Sequence, residues 1–233
     1  MNSQKSACRY SKVCQKAYNI QWRGELMDNE SELFQYLQDD NFILKSECGI
    51  SYLKTKLQII DAELSMSKGR KIIRSTTSRI KAYDSLIAKL KRKDLPEDVD
   101  IVKDRINDLV GVRAVCSYID DLYQIADIIR NTNDFRVLRS KDYIEDPKKS
   151  GYRSYHLLLE VPVSFMSGVE WVKIELQLRT SAMDYWASLD SQLQYKKENK
   201  GAEIISRELK SYAKVIDKID KKMLDLRKRI EEI

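Results

Sequence analysis

From residue 30 onward the apolar positions fall at helical intervals. In NESELFQYLQDDNFILKS, Leu33, Phe34, Leu37 and Phe42 to Leu44 lie on one side of a helix behind Asn29 or Ser31 as a cap. In ISYLKTKLQIIDAELSM the pattern continues through Leu53, Leu57, Ile60 and Leu64, so the spacing predicts two helices packed as a hairpin. A third helical run is predicted over residues 78–93, ending before LPEDVD, where Pro96 marks a break. Residues 1–29 carry no clear period and are expected to form an irregular lead.

The period then changes. LVGVRAVCSY (Leu109 to Tyr118) is short, valine-rich and nearly continuous in apolar character, which predicts a central strand covered on both faces. IDDLYQIADIIRN follows as an amphipathic helix, and FRVLRS and YHLLLEVPV read as further strands. VEWVKIELQLRT alternates strictly: Val172, Ile174, Leu176 and Leu178 point one way, Lys173, Glu175, Gln177 and Arg179 the other. MDYWASLDSQLQYKK predicts another helix. Beyond it Ile205, Leu209, Tyr212, Ile216, Ile219, Met223, Leu226, Ile230 and Ile233 recur at alternating intervals of four and three. That stripe needs a partner helix, and heptads alone do not choose between the N-terminal hairpin and a second copy of the chain.

These elements predict an α/β (α+β) unit, a sheet flanked by helices with N-terminal helices and a long C-terminal helix. With 233 residues, 42% of them hydrophobic, and only seven Gly and three Pro, the chain can bury a core and has neither a long disordered tract nor a flexible linker written into it. No apolar run is long enough to span a bilayer, and MNSQKSACRYSKVC lacks the apolar centre of a signal peptide, so a cytoplasmic protein with no membrane partner is expected. Cys8, Cys14, Cys48 and Cys116 form no CxxC pair and read as free thiols; a zinc site lacks its ligands. The net charge of +6 permits a polyanionic partner without identifying it.

No GxxxxGK[ST] or GxGxxG occurs, which excludes a Walker-type loop and a Rossmann fingerprint. Phosphates must therefore be held by side chains. Lys81, Ser85 and Lys89 at i, i+4 and i+8 form a polar row on the predicted 78–93 helix, with Arg79 before it and Arg92 near its end. Such a row can cradle a triphosphate or simply face water. Arg113 stands in a run otherwise fit for a core, with Asp108 at its entrance. A buried guanidinium needs an acidic partner or a ligand such as a stacked base. Glu175 lies mid-strand on a polar face; beside Asp108 it would make a carboxylate pair for Mg²⁺, while on a merely wet face it needs no role. In KKSGYRSYH, Gly151 allows a tight turn, Tyr152 offers an aromatic platform, and Lys148, Arg153 and His156, the only histidine, can surround phosphate. A basic hairpin with a core tyrosine has the same composition.

Four ordered blocks, RIKAYDSLIAKLKRK, INDLVGVRAVCSYIDDLY, SGYRSYHLLLEV and VKIELQLRTSAMDYWASLDSQLQYK, span residues 79–196. In them the chain resembles the small alarmone synthetases, single-domain relatives of the RelA/SpoT enzymes. The resemblance implies a mixed sheet of nucleotidyltransferase-like synthetase type over residues 30–200, with 1–29 as the lead and 201–233 as a helix for packing or oligomerisation, all in one structural unit. It implies transfer of pyrophosphate from ATP to the ribose 3′-OH of GDP or GTP, with Mg²⁺. Carried over by position, Arg79 and Arg113 sandwich adenine, and Lys81, Ser85 and Lys89 contact ATP phosphates. Asp108 is the metal ligand, and Glu175 a second acid that binds metal or activates the 3′-OH. Tyr152 stacks on guanine, Lys148 and His156 meet acceptor phosphates, and Gln177 and Arg179 support the site. Ser150 and Ser191 stand where many relatives carry Asn and His. A single histidine cannot build the hydrolase site of the larger relatives, so synthesis without degradation is expected. The resemblance also implies a homo-oligomer, with a tetramer favoured, and whether RNA or alarmone acts as a regulator stays open in the sequence. Two alternatives remain: a relative that pyrophosphorylates the tRNA 3′ end, and a non-catalytic RNA-binding module.

Overall fold

The structure, a computed structural model, describes residues 31–194 and 202–232; the lead expected over 1–29 lies outside them. Helix α1 (Glu32–Gln38) is separated from α2 (Asp40–Lys68) by Asp39 alone, whose extended backbone and carboxylate, accepting from the Phe42 amide at 2.8 Å, cap the second helix. The helix break therefore falls at Asp39, and the expected hairpin is instead one 29-residue helix running through Gly49. A Cβ at Gly49 would meet Ile174 and Val172 at 3.1 Å, so the glycine brings α2 down onto the sheet. Ile50, Leu53, Leu57, Ile60 and Leu64 are buried along that contact.

Strand β1 (Ile73–Ile80) replaces the first part of the predicted 78–93 helix, and α3 spans Tyr83–Lys93. Most of β1 is exposed, so no apolar alternation marks it; pairing with β2 (Val110–Cys116), with Arg79 opposite Gly111, makes it a strand. A short α4 (Val99–Arg105), capped by Asp98, follows the Pro96 break. The remaining elements are α5 (Ile119–Asn131), β3 (Arg136–Asp142), β4 (Tyr155–Phe165), β5 (Gly168–Thr180), α6 (Ser181–Gln194) and α7 (Ala202–Glu231).

The sheet order is β1-β2-β5-β4-β3, with β2 and β5 parallel and every other pair antiparallel. β5 is the centre, and β2 is interior but not covered on both faces. Val110, Val112, Ala114 and Cys116 are buried with Leu157, Leu159, Ile174, Leu176 and Leu178, whereas Gly111 and Arg113 lie half-buried on the opposite face. The polar face of β5 follows its alternation: Lys173, Glu175 and Gln177 are half-buried between fully buried apolar neighbours.

Helix α7 packs on α5 and α6 rather than on the N-terminal helices. Its predicted stripe splits between two sides. Leu209, Ala213 and half-buried Ile216 gather around Trp186, while Tyr212, Val215, Ile219, Met223, Leu226 and Ile230 are exposed. At its far end Arg227 pairs with Asp120 and stacks on Tyr118, which Arg70 also approaches. Asp121, fully buried at the start of α5, is held by Arg70 and Lys68 at 2.8 and 2.9 Å. Cys48 and Cys116 are free thiols, and among the described residues no helix is long and apolar enough to cross a membrane.

Candidate active site

The open face of the sheet is organised by strand register. One row runs Arg79 (β1), Gly111 (β2), Glu175 (β5), Leu158 (β4), Arg139 (β3); the next runs Thr77, Arg113, Gln177, His156, Lys141. Five strands at their usual separation make each row roughly 19 Å across, room for two nucleotides side by side with Glu175 at the middle. A cavity of about 470 Å³ lies over these rows.

At the β1 end, Arg79 and Arg113 flank Gly111. A Cβ there would meet Arg79 Cγ only at 4.0 Å, and a slot of about 210 Å³ lined by Thr77, Arg79, Gly111 and Arg113 opens between the strands. Two guanidinium planes with a glycine floor between them suit a flat base. Arg113 Nη1 pairs with Asp184 of α6 at 3.1 Å, and its Nε is buried with no hydrogen-bond partner. Burial, aided by the neighbouring Arg179 guanidinium, pushes Arg113 below its ordinary pKa, so an anionic ligand would relieve the site.

Next to this slot Asp108, just before β2, accepts from Lys89 at 2.6 Å and pairs with Lys81 at 3.0 Å. Burial alone would raise Asp108; the two ammonium groups override it and hold the carboxyl below its usual range. Lys81 precedes α3 instead of lying on it, yet its side chain meets that of Lys89 at the same carboxylate. Lys81 is drawn to Asp108 by the turn after β1, and Ser85 is exposed on α3 outside the cavity wall.

At the middle of the sheet five side chains close a ring. Arg179 donates to the Tyr152 hydroxyl at 2.8 Å and to Gln177 Oε1 at 2.9 Å. The Tyr152 hydroxyl lies 2.8 Å from His156 Nε2, His156 Nδ1 lies 3.4 Å from Glu175 Oε2, and Gln177 donates to Glu175 Oε1 at 2.7 Å. One proton arrangement satisfies every link: Arg179 donates to tyrosine, tyrosine to Nε2, and Nδ1–H to the carboxylate. Burial would raise Glu175, but the bonds from His156 and Gln177 keep it below its ordinary value, an ionised acceptor at the site's centre.

Tyr152 reaches the cavity from the β3–β4 loop, where Gly151 (φ +97°) makes the turn. Lys148 Nζ sits 4.5 Å from the Tyr152 ring centre and 4.7 Å from that of Tyr143, a second aromatic that the pattern did not mark. Arg153 turns away from the cavity, donating to the Ile144 carbonyl and pairing with Asp217 of α7.

Of the predicted residues, Arg79, Lys89, Asp108, Arg113, Lys148, Tyr152, His156, Glu175, Gln177 and Arg179 line one cavity; Lys81 joins through Asp108, and Ser85 does not. Lys93, Arg105, Arg139 and Lys141 line it too, together with Arg92. Burial, with Lys89, Lys141 and Arg92 nearby and only partly offset by Asp108, depresses Lys93 below its ordinary value. The i, i+2 spacing of Arg139 and Lys141 was the available signal. Asp184, which bridges Arg113 and Arg179 at 3.1 and 3.0 Å, left none.

A family model described as "Region found in RelA / SpoT proteins" matches residues 78–200. The GTP pyrophosphokinase YwaC of Bacillus subtilis (strain 168) is 39% identical over 82% of this chain and 91% of its own length. The crystal structure of small alarmone synthetase 2 from Bacillus subtilis, 38% identical, covers 82% of this chain and 99% of that one with a TM-score of 0.71. That of small alarmone synthetase 1 from Bacillus subtilis bound to its product pppGpp, 30% identical, covers 83% and 98% with a TM-score of 0.74. Matched in sequence over most of its length and in fold across the mixed sheet that carries the cavity, this chain belongs to the RelA/SpoT family, among its small alarmone synthetases.

Proposed function

We propose that the chain transfers the terminal pyrophosphoryl group of ATP to the ribose 3′-OH of GDP or GTP, releasing AMP and (p)ppGpp. The observation that carries this reading is a base slot, Arg79–Gly111–Arg113, and an aromatic platform, Tyr152 with Tyr143, in one cavity with an ionised carboxylate, Glu175.

Adenine enters the arginine slot, and the donor phosphates run past Lys81 and Lys89, which gain phosphate oxygens in place of part of their contact with Asp108. Guanine stacks on Tyr152 as Lys148 moves off the ring toward phosphate. The acceptor's 5′ phosphates lie in the lobe of Arg92, Lys93, Arg139 and Lys141. The 3′ oxygen attacks the β-phosphorus, the bond from that phosphorus to the bridging oxygen of the α-phosphate breaks, and AMP leaves with the bridging oxygen. Glu175 takes the hydroxyl proton, and the ring from Arg179 fixes its carboxylate for that contact. The protein's part is positioning and charge neutralisation, as phosphoryl transfer requires.

Asp108 and Glu175, both oxygen donors held ionised and close enough to interact electrostatically, fit Mg²⁺, which binds through one or two carboxylates plus substrate phosphates. When bound there, Mg²⁺ would neutralise charge on the transferring group. The exposed stripe on α7 supports a homo-oligomer, and the family resemblance favours a tetramer. A cytoplasmic location follows from the substrates.

The test is γ-labelled ATP with Mg²⁺ offered GDP, GTP or bulk tRNA in parallel. Label on guanine nucleotide with matching AMP is expected. Label on tRNA alone, or no transfer at all, would overturn the reading.

A further inference from the structure

We propose that α7 is a positioning element for the acceptor nucleotide, with Ala213 and Asp217 holding the 147–154 loop, and through it Tyr152, in the conformation that receives the base. The inference rests on the reading of Tyr152 as the acceptor platform and goes beyond it by assigning a role to a helix outside the cavity.

The loop lies on the helix with no side chain between them. Gly151 has φ +97°, a conformation L side chains rarely adopt, and a Cβ there would fall 2.7 Å from Ala213 Cβ, 3.5 Å from Lys210 Cα and 3.6 Å from Trp186 Cζ2. Both sides of this contact must stay small. Gly151 is flanked within the loop by Lys148 and Tyr152, which line the cavity, so a shift of its backbone moves them directly. Within the loop Gly151 N donates to Lys148 O at 2.8 Å and Lys148 N to Tyr152 O at 3.2 Å, and outside it the loop is tied to the sheet through the Tyr152 hydroxyl and through Ser154 Oγ, which donates to Leu178 O.

A second contact fixes the loop along the helix axis. Arg153 pairs with Asp217 at 3.4 Å, both side chains largely buried, while the same guanidinium donates to the carbonyl of Ile144, which lies between β3 and this loop. Helix α7 is in turn anchored to the floor of the site. The Trp186 indole donates to Leu209 O at 2.9 Å, and Thr180 Oγ1 donates to Asp220 while accepting from Met183 N. Thr180 joins β5 to α6, the junction from which Arg179 and Asp184 project. The helix thus sets the distance between the loop that carries Tyr152 and the strand that carries its hydroxyl's partner, Arg179.

Neither Ala213 nor Asp217 lines the cavity; what they touch directly is the loop that carries Tyr152. The test is calorimetric titration of GDP and of a non-hydrolysable ATP analogue on the full chain and its Ala213→Val, Asp217→Asn and Ala213→Ser variants, with KM for each substrate measured alongside. We expect Ala213→Val to weaken GDP binding and raise the acceptor KM about tenfold with ATP unchanged, Asp217→Asn to do the same to a smaller degree, and Ala213→Ser to match the unmodified chain. Equal weakening of both ligands, a fall in kcat at constant acceptor KM, or no change would overturn the proposal. If Ala213→Val does not fold, Asp217→Asn decides by the same split. A chain that binds GDP but transfers nothing to it sinks the functional reading alone, since the titrations still decide the role of α7.

Discussion

His156 Nδ1 lies 3.4 Å from Glu175 Oε2, and the opposite ring nitrogen faces the Tyr152 hydroxyl at 2.8 Å. The only histidine of the chain thereby connects the aromatic ring of the β3–β4 loop to the carboxylate at the middle of the sheet. The imidazole is thus held on both sides, between the tyrosine hydroxyl and the carboxylate.

Glu175→Gln removes the ionised acceptor while keeping the shape of the ring. Turnover measured as AMP release should fall by about 10²–10⁴, with KM for ATP changed little. Near-normal turnover would refute the role given to Glu175.

Arg139 and Lys141 stand at the β3 end of the two rows and have no acidic partner among the described residues. Arg139→Ala and Lys141→Ala should weaken GTP more than GDP as acceptor, by roughly five- to tenfold per lost phosphate contact, leaving the ATP constant alone. Parallel acceptor titrations check this, and an unchanged GTP:GDP ratio would remove them from the phosphate site.

Asp121 is a fully buried carboxylate between Lys68 and Arg70. Asp121→Asn leaves two cations without their counter-charge and should cost about 3 kcal/mol in denaturant unfolding, without altering the ratio of acceptor to donor KM.

Asp220, buried against Thr180, is raised to about 6, chiefly by burial and also by Asp217. Its folded pKa lies above the ordinary 3.8, so the native state binds the extra proton between those values. The stability it contributes is complete below the ordinary value and is lost as pH rises through about 6. Relative to Asp220→Asn, the unmodified chain should therefore gain about 1–3 kcal/mol on going from pH 7 to pH 4.5. Asp108 and Glu175 are shifted the other way, and their loss of stability begins only at lower pH. Paired melting curves decide it, and parallel pH profiles would exclude the assignment.

The outward stripe of α7 predicts association. Light scattering should give a mass that is a multiple of the 27.3 kDa chain, and Ile219→Asp with Met223→Lys should bring it down to a single chain. A monomeric mass for the unmodified protein would exclude the oligomer.

The sequence by itself determined what is periodic or local. Strict alternation in β5 assigns Glu175, Gln177 and Arg179 to one face, because successive residues of a strand point to opposite sides whatever the strand pairs with. The break at Pro96 and the amphipathic α5 are legible for the same reason. Only the tertiary structure decided where partners come from. β1 is a strand because an edge of the sheet was free to bond it, not because IRSTTSRI alternates. Lys81 lies before the helix because its amide bonds to Leu109 O at 2.7 Å, extending the β1–β2 pairing by one residue. Arg153, equivalent in composition to the cations that line the cavity, belongs instead to Asp217, and the heptads of α7 divide between a wall behind the β3–β4 loop and a face turned to solvent. A side chain's periodicity is set within a few residues of chain, whereas the charge or surface that claims it is set by register and packing across the whole molecule.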